Sequence, residues 1–372
     1  MSEIIRGLEG VIANQTKISS IIDDRLTYVG YDIGDLAENA SFEEVIYLLW
    51  YYRLPNQREL SIFKEHLNRE MKLGHSIIAS LAVIAHKQVH PMSVMRTMVS
   101  MLGVYDTDSE GDSNLSNYSK AMKLVAKMPA LVAAYSRMRK DEVPIEPRED
   151  LSLAGNFLYM LSGEEPSELH EKAMNRALVL HAEHEMNAST FSARVCVATL
   201  SDFYSGVTAA IGSLKGALHG GANEQVMVML AEIGDVKNVE AYLDNKLAKK
   251  EKIMGFGHRV YESGDPRAKY LRDMCEELTS VTGETKWYDI SVAVEKYVLE
   301  KKGLKPNVDF YSATVYHCMG IDKDLFTPIF TVSRIAGWSA HIIEQYEDNR
   351  LIRPRAEYIG QIGNTYIPVN ER

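Results

Sequence analysis

The sequence has few cysteines, no excess of basic charge and no long apolar run. Its 372 residues include only three cysteines, Cys196, Cys275 and Cys318, and no C-x-x-C spacing. That number cannot build a disulfide framework, so we expect a reducing cytoplasm and no structural zinc site. The 51 acidic residues outnumber the 41 basic residues and give a net charge of -10. A field of that sign repels phosphate groups, so neither nucleic acid nor an acidic membrane is an expected partner.

Signals for export and for membrane insertion are also missing. Residues 1–6 lack the basic segment followed by an apolar segment that is typical of a signal peptide. Residues 75–86 form the longest apolar run without acidic or basic residues, and it is far shorter than the ~20 residues of a spanning helix. Residues 195–214 are long enough but contain Asp202 and many small polar residues. We therefore predict a buried helix there and a soluble protein.

Three common catalytic motifs are absent. The sequence contains no G-x-x-x-x-G-K-[ST], no G-x-S-x-G and no H-E-x-x-H. The run from Gly255 to Gly257 begins like a dinucleotide-binding fingerprint, but the third glycine is missing and no strand is predicted before it. These absences argue against P-loop nucleotide hydrolysis, hydride transfer on a Rossmann fold and serine-elbow hydrolysis.

Helical signals run through the whole chain and predict an all-α fold. Ser41, with Glu44 three residues later, has the pattern of a capping box. Asp265 before Pro266 predicts a helix with an aspartate N-cap and proline at the first helical position. Thr327 repeats this start signal before a long helical stretch.

Strand-like alternation is nearly absent from the sequence. Its best candidate is the short tail at residues 364–369. At ~150 residues per domain, the length of the chain predicts about two domains.

Histidine, arginine, glycine and one aspartate are concentrated in a few short segments. Taken singly, each has a structural interpretation. His184 could be a hydrogen-bonded core histidine, His219 could lie at a helix C-terminus, and Asp309 could be a helix N-cap. Arg334 and Arg353 could form ion pairs. The segments are residues 181–187, 218–223, 255–267 and 306–309, with Arg334 and Arg353 further along.

Taken together, these residues suit one kind of chemistry. Histidines in glycine-rich loops can donate hydrogen bonds to a substrate carbonyl at close range. Arginines offer bidentate donors to carboxylates, and a lone aspartate among them can act as a general base. The set therefore favours enolisation beside a carbonyl, performed on a polycarboxylate.

With these segments in this order, the sequence resembles citrate synthase along essentially its whole length. The specific segments are Leu218-His219-Gly220-Gly221, Gly257-His258-Arg259-Val260 with Asp265-Pro266-Arg267, and Pro306-Asn307-Val308-Asp309. The resemblance implies a nearly all-helical homodimer of the short bacterial type. It implies a large domain of residues 1–220 and 320–372, interrupted by a small domain of residues 221–319. Because the chain lacks the extra N-terminal domain of the hexameric members, a simple dimer without inhibition by NADH is expected.

The resemblance also implies a role for each matched residue. Asp309 would take a methyl proton from acetyl-CoA, and His219 would hydrogen-bond the thioester oxygen. His258 would polarise the ketone of oxaloacetate. The residues implied to bind oxaloacetate are His184, His219, His258, Arg267, Arg334 and Arg353, the last from the partner subunit.

Acetyl-CoA would be a co-substrate, and no tightly bound cofactor or metal is implied. Since coenzyme A carries phosphates, its pocket should be basic, and backbone groups of a loop can contact adenine. The expected coenzyme A contacts are Met254, Gly255, Phe256, Gly257, Arg259, Lys302 and Lys305.

Three alternatives stay open from the sequence. A 2-methylcitrate synthase would use propionyl-CoA with the same catalytic set, and one methylene is worth only ~1–3 kcal/mol of discrimination. A metal hydrolase could use His181 and His184, which share a helix face, but spacing provides no third ligand. A helical binding module without catalysis is the third, and the presence of Asp309, His219 and His258 together argues against it.

Overall fold

The computed structural model describes residues 5–87, 89–258 and 260–372. Its elements confirm the all-α prediction, with sixteen α-helices and one small sheet in this part of the chain. No helix among the described residues is both long enough and apolar enough to cross a membrane. The helices are α1 (Ile33–Asn39), α2 (Phe42–Tyr51), α3 (Gln57–Met71), α4 (His75–Ala85), α5 (Pro91–Tyr105), α6 (Asn114–Met138), α7 (Leu153–Ser162), α8 (Glu168–His181), α9 (Ala188–Val197), α10 (Phe203–Leu214), α11 (Ala222–Ile233), α12 (Val239–Ala248), α13 (Pro266–Thr282), α14 (Lys286–Lys302), α15 (Val308–Cys318) and α16 (Phe326–Glu347).

Helix α16 lies at the centre of the larger group of helices. Almost all of its residues are buried, including Trp338 and Ser339 on different faces. It packs on α2, α6, α8, α9 and α10. A helix that is apolar all round is buried on all sides, so α16 is the axis around which the larger group is built. Arg334 on this helix is consequently held inside the protein.

Helices α11 to α15 form a second group that packs mainly on itself. The main contacts are α13 with α15, α11 with α15 and α12 with α14. The two groups meet where α13 and α15 contact α8, where α1 contacts α13 and where α11 contacts α16. The residues of interest at the starts of α13 and α15 therefore face the larger group across this junction.

The sheet is a short antiparallel meander near the N-terminus, which the sequence did not predict. Its strands are β1 (Ser19–Ile22), β2 (Arg25–Tyr28) and β3 (Tyr31–Asp32), in the order β1-β2-β3. The prediction of a strand at residues 364–369 was wrong, because that segment contains no strand. Strands of two to four residues are too short for an alternation of period two to stand out from the sequence.

Two of the predicted helix starts are confirmed. The Ser41 hydroxyl accepts the N–H of Glu44 at 3.3 Å, and the Glu44 carboxylate accepts the N–H of Ser41 at 2.8 Å. Asp265 caps α13 by accepting the N–H of Arg267, with Pro266 as the first helical residue. Short-range capping patterns are legible from sequence because both partners lie within one turn.

The long helix expected after Thr327 is present as α16, but its predicted start signal was wrong, and so was the prediction of one helix at residues 195–214. Helix α16 begins at Phe326 without a side-chain cap, and the Thr327 hydroxyl instead donates to the carbonyl of Gly220 at 3.1 Å. The single helix predicted at residues 195–214 is two helices, because Leu200 adopts a positive φ of 65° and Asp202 caps α10. At Thr327, the hydrogen bond to Gly220 takes the place of a helix cap. At Leu200, the positive φ interrupts the helix.

Candidate active site

The ring of Phe330 on α16 lies at the meeting point of three candidate residues. The Arg334 guanidinium carbon lies 4.8 Å from the ring centroid. The imidazole of His181, at the end of α8, lies edge-on at 4.8 Å, and that of His219 lies at 6.4 Å. The Phe330 ring is therefore the place where the end of α8, the turn after α10 and the centre of α16 meet.

Arg334 is a buried cation with part of its donor capacity free. Its side chain is 1% exposed, and its Nε donates to the carbonyl of His181 at 2.7 Å. Its terminal nitrogens form no hydrogen bond with any described residue. Burial lowers the pKa of Arg334 to about 10, so the group stays charged at neutral pH. A buried guanidinium with free donors is suited to a carboxylate ligand.

Arg267 is equally buried, but it has an internal partner. It is 2% exposed, and its Nε and Nη2 donate to the two oxygens of Asp265 at 2.9 and 2.8 Å. Asp265 also accepts the backbone N–H of Val308 at 2.9 Å. Burial tends to raise the pKa of Asp265, but the charge of Arg267 outweighs it and lowers that pKa. Asp265, predicted only as a helix cap, thus joins the starts of α13 and α15.

Asp309 lies in the first turn of α15 and is not the N-cap. The cap is Asn307, whose side-chain oxygen accepts the N–H of Asp309 at 3.1 Å. The Oδ1 atom of Asp309 is buried and has no hydrogen-bond partner among the described residues. Burial raises the pKa of Asp309 to about 7, although Arg267 and Arg334 act to lower it. A carboxylate without a partner and with a pKa near neutrality is suited to proton abstraction.

His219 is held in a tight turn after α10. Gly220 follows it with its N–H bonded to the carbonyl of Leu214, and a Cβ at Gly220 would lie 2.8 Å from that oxygen. Because a side chain at position 220 would collide with this oxygen, the motif has glycine directly after His219. Burial lowers the pKa of His219 to about 4, so its imidazole is neutral at neutral pH.

The tautomer of His219 is coupled to the position of the Ser189 proton. Its Nε2 lies 2.8 Å from the Ser189 hydroxyl, which accepts the indole N–H of Trp338 at 3.1 Å. The same hydroxyl lies 2.7 Å from Oδ1 of Asn187, which can only accept and which also accepts the backbone N–H groups of Ser189 and Thr190. The hydroxyl has a single proton, so it donates either to Oδ1 of Asn187 or to Nε2 of His219. When it donates to Nε2, the proton of His219 resides on Nδ1.

His258 is also neutral and has a defined tautomer. Its Nδ1 accepts the backbone N–H of Val260 at 3.1 Å, so its proton resides on Nε2. Burial, reinforced by the charge of Arg267, lowers its pKa to about 4. The Nε2–H group is therefore available as a donor over the physiological range.

His184 lies beside His258 and contacts a residue that the sequence did not single out. Its side chain is 7% exposed, and its Nε2 lies 2.8 Å from the hydroxyl of Tyr261. The rings of His184 and His258 are 5.0 Å apart, and Tyr261 lies 4.6 Å from His258. Burial lowers the pKa of His184 and raises that of Tyr261. Tyr261 follows a histidine-containing motif, which is the signal that could have identified it.

A buried polar network supports the segment before His184. The Nε2 of His341 lies 3.0 Å from Oε1 of Glu183, which also accepts the Ser19 hydroxyl at 3.0 Å. Burial acts to raise the pKa of Glu183, but His341 and Arg334 outweigh it and lower that pKa. No local pattern in the sequence identifies this network, since its members are more than a hundred residues apart.

The expected coenzyme A residues are only partly brought together. The N–H of Gly257 donates to the carbonyl of Lys305 at 3.0 Å, and the N–H of Asn307 donates to the carbonyl of Gly255 at 2.9 Å. Residues 254–257 therefore lie beside Lys305, which is exposed. Lys302 is exposed in the last turn of α14. Arg259 lies outside the described residues.

Two further expectations concern residues away from this cluster. Arg353 is exposed on the segment after α16 and forms no hydrogen bond or ion pair with another described residue. His181, considered as a metal ligand with His184, is buried, and its Nδ1 donates to the carbonyl of Ala177 at 2.8 Å. Among residues 5–87, 89–258 and 260–372, no group of three or more histidine, cysteine, aspartate or glutamate side chains is arranged to hold a metal ion.

Comparison with known proteins gives concordant matches over the whole chain. A model of the C-terminal domain of citrate synthase matches residues 7–355. The chain is 61% identical over 367 residues to citrate synthase 2 of Bacillus subtilis, covering 99% of each chain. It is 44% identical over 370 residues to a 2-methylcitrate synthase of Shewanella oneidensis, covering 98% of this chain and 97% of the relative.

A similar fold is found among solved structures. The ternary complex of citrate synthase from Thermoplasma acidophilum with carboxymethyl coenzyme A and oxaloacetate superposes with a TM-score of 0.94. Its sequence is 35% identical, and the match covers 100% of both chains.

The raised pKa of Asp309 predicts how stability depends on pH. The carboxyl has an ordinary pKa of 3.8 and a folded value of about 7. The folded state therefore holds a proton that the unfolded state releases, so stability is lost as pH rises across that window. Asp309→Asn removes this effect. Its advantage in stability over the wild type should grow by about 2–3 kcal/mol between about pH 5 and pH 8, measured by differential scanning calorimetry.

The control for this measurement is Asp112→Asn, which changes an exposed carboxylate. Its difference from the wild type should stay nearly constant over the same range. An Asp309→Asn advantage that does not change with pH would show that the carboxyl of Asp309 is not perturbed.

Proposed function

The chain belongs to the citrate synthase family and is an acyltransferase of that family, and from this premise we propose how its cleft carries out the reaction. It condenses oxaloacetate with acetyl-CoA and then hydrolyses the citryl thioester to citrate and free coenzyme A. The single observation that carries the proposal is the carboxylate of the half-buried Asp309, whose Oδ1 is buried without a hydrogen-bond partner in the described structure and whose pKa is about 7. Acetyl-CoA serves as a co-substrate, with no tightly bound cofactor.

Oxaloacetate binds through its two carboxylates. Arg334 offers free terminal donors from a buried position, and Arg267 retains a nitrogen that is not used by Asp265. His184, whose position is fixed by Tyr261, adds a neutral donor. Because the site is buried, these hydrogen bonds are stronger than they would be in water.

The ketone of oxaloacetate is polarised by His258. Its Nε2–H is the free donor, since Nδ1 accepts from Val260. A neutral imidazole is a weaker acid than an imidazolium, so it stabilises the ketone oxygen by a hydrogen bond and gives up its proton only as the alkoxide forms.

Enolisation of acetyl-CoA requires Asp309 and His219 together. The Asp309 carboxylate removes a methyl proton, and the electrons of that C–H bond form the enol double bond. In the tautomer in which Ser189 donates to Nε2, the Nδ1–H of His219 donates to the thioester oxygen, where negative charge develops. Such a donor is worth about 3–4 kcal/mol in other enzymes. The enol carbon then attacks the ketone carbon. As the new carbon–carbon bond forms, the enol re-forms the thioester carbonyl, and the electrons of the ketone π bond go to the ketone oxygen, which takes the Nε2 proton of His258.

Coenzyme A lies along residues 254–257, with Lys302 and Lys305 facing its phosphates. Support for this placement comes from Asn307. Its side-chain Nδ2 donates to the carbonyl of Gly257 at 3.0 Å, and its oxygen caps the helix that carries Asp309. Asn307 thus contacts both the proposed coenzyme A loop and the helix that carries Asp309. Binding of coenzyme A and placement of its thioester are therefore linked.

We also propose that residues 221–319 form a small domain that closes over the cleft. Helices α11 to α15 pack mainly on one another, as a separate domain would. Closure would exclude water until the carbon–carbon bond has formed, which protects the thioester from early hydrolysis.

The functional unit is proposed to be a homodimer in the cytoplasm. Val104 at the end of α5 is 82% exposed. In the segment after α16, which contains no strand, Ile359 is 93% exposed and Ile362 is 84% exposed. Two exposed isoleucines this close together in one segment are apolar surface that an interface would cover. In such a dimer Arg353 of the partner subunit would complete the oxaloacetate site.

The proposed reaction is tested by release of free thiol from acetyl-CoA, with and without oxaloacetate. The wild type should release thiol only when oxaloacetate is present, and acetyl-CoA should give a higher kcat/KM than propionyl-CoA. Asp309→Ala should lower kcat by at least about a hundredfold, because no other base replaces the carboxylate. Binding of oxaloacetate, measured by calorimetry, should stay largely intact. Thiol release by Asp309→Ala at the wild-type rate would assign the base elsewhere.

The dimer proposal is tested by mixing two inactive variants, Arg353→Ala and His219→Ala. If Arg353 acts across the interface, each mixed dimer contains one site with both residues intact. Random mixing should then restore roughly a quarter of the wild-type activity. The matched control is a mixture of His219→Ala with Asp309→Ala, whose residues come from the same chain, and it should restore nothing. No recovery in the first mixture would contradict a shared site.

A further inference from the structure

The turn between β1 and β2 has an unfavourable sequence for its backbone. Asp23 and Asp24 form a two-residue turn between the paired residues Ile22 and Arg25, with φ of 50° and 59°. A turn with two positive φ values strongly favours Asn-Gly or Asp-Gly, because glycine adopts such angles without steric cost. The presence of aspartate at position 24 is therefore not explained by the turn itself. Such departures are often found where a side chain has a functional contact.

Asp24 makes that contact with a distant segment. Its carboxylate accepts the backbone N–H of Glu262 at 2.9 Å and that of Ser263 at 2.6 Å. The pKa of Asp24 is lowered by the hydrogen bonds from Ser263 and Glu262 and by the charge of Lys305. Asp23, its neighbour in the turn, is exposed and forms no side-chain hydrogen bond with a described residue.

The segment held by Asp24 carries part of the oxaloacetate site. Tyr261, directly before Glu262, is bonded to His184. Asp265, two residues after Ser263, holds Arg267 by two hydrogen bonds. Fixing the backbone of residues 262 and 263 therefore limits the movement of both Tyr261 and Asp265.

The strands of the same hairpin contact Glu183, the residue directly before His184. The hydroxyl of Tyr28, on β2, accepts the N–H of Glu183 at 3.1 Å and lies 2.9 Å from its carbonyl. Ser19, on β1, bonds the carboxylate of Glu183. The hairpin thus joins Glu183, directly before His184, to the backbone directly after Tyr261.

We propose that Asp24 is a positioning residue that keeps the oxaloacetate pocket assembled before the substrate binds. The turn of the hairpin accepts hydrogen bonds from residues 262 and 263, and its strands form hydrogen bonds with Glu183. This inference rests on the proposed function, since it assigns Asp24 to the oxaloacetate site of the same reaction.

A role of this kind affects KM more than kcat. Without the bonds from Asp24, the segment would occupy its binding-competent position for a smaller fraction of the time. The apparent affinity for oxaloacetate falls by that fraction. Once oxaloacetate is bound, its own contacts with His184, His258 and Arg267 hold the segment, so the chemical step proceeds at nearly the wild-type rate.

The test compares Asp24→Gly with Asp23→Gly. Both variants place glycine in the turn and relieve the positive φ, but only Asp24→Gly removes the contact. Asp24→Gly should raise the KM for oxaloacetate roughly five- to twentyfold, with kcat within about twofold of the wild type. The dissociation constant of oxaloacetate, measured by calorimetry without acetyl-CoA, should rise by the same factor. Asp23→Gly should leave both quantities unchanged.

A second variant, Asp24→Asn, keeps one carbonyl acceptor and tolerates a positive φ. It should give an intermediate KM, which a merely structural role in the turn would not produce. Equal KM values for Asp24→Gly, Asp23→Gly and the wild type would overturn the inference, as would a loss of kcat without a change in KM. A wild type that does not condense oxaloacetate with acetyl-CoA would instead contradict the proposed function.

Discussion

Burial of the Asp309 carboxyl raises its pKa to about 7, and two buried guanidinium groups act against a further rise. Desolvation and the charges of the same two arginines also act on the pKa of His184. A fully solvated aspartate would be too weak a base, and a directly paired one would be weaker still. Neither guanidinium is hydrogen-bonded to Asp309: Arg267 is bonded to Asp265, and Nε of Arg334 is bonded to the carbonyl of His181. The proposed base is therefore unpaired, although it lies in the positive field of two arginines.

The same field explains how an acidic protein can bind anions. The net charge of -10 belongs to the whole chain, whereas the interior of the cleft contains Arg267 and Arg334 beside neutral histidines. Burial keeps His219 and His258 uncharged, with pKa values of about 4. In the proposed reaction they serve as hydrogen-bond donors without adding charge that would lower the pKa of Asp309. The proposal thus assigns recognition of carboxylates and removal of the proton to different groups.

The parts of this arrangement that the sequence predicts are those with short-range signals. The Ser41 capping box, the start of α13 at Pro266 and the motifs around His219, His258 and Asp309 all depend on residues a few positions apart. Their arrangement around Phe330 and the contacts from Tyr261, Ser189 and Glu183 depend on chain segments far apart in sequence, so no local pattern reveals them. The hairpin lacks a local sequence signal for a related reason. Its strands are very short, and its turn has Asp24 where glycine would have marked a turn, because the side chain is bonded to a distant loop.

The most direct test of the account is a crystal structure of this protein with oxaloacetate and a non-reactive analogue of acetyl-CoA. The account predicts that the oxaloacetate carboxylates contact Arg267 and Arg334 and that the ketone oxygen faces Nε2 of His258. The carbon that corresponds to the thioester methyl should lie against Oδ1 of Asp309, with Nδ1 of His219 directed at the analogue's oxygen. A complex in which that carbon faces a different side chain, with Asp309 paired to an arginine, would contradict the central claim that a free, buried Asp309 carboxylate removes the proton.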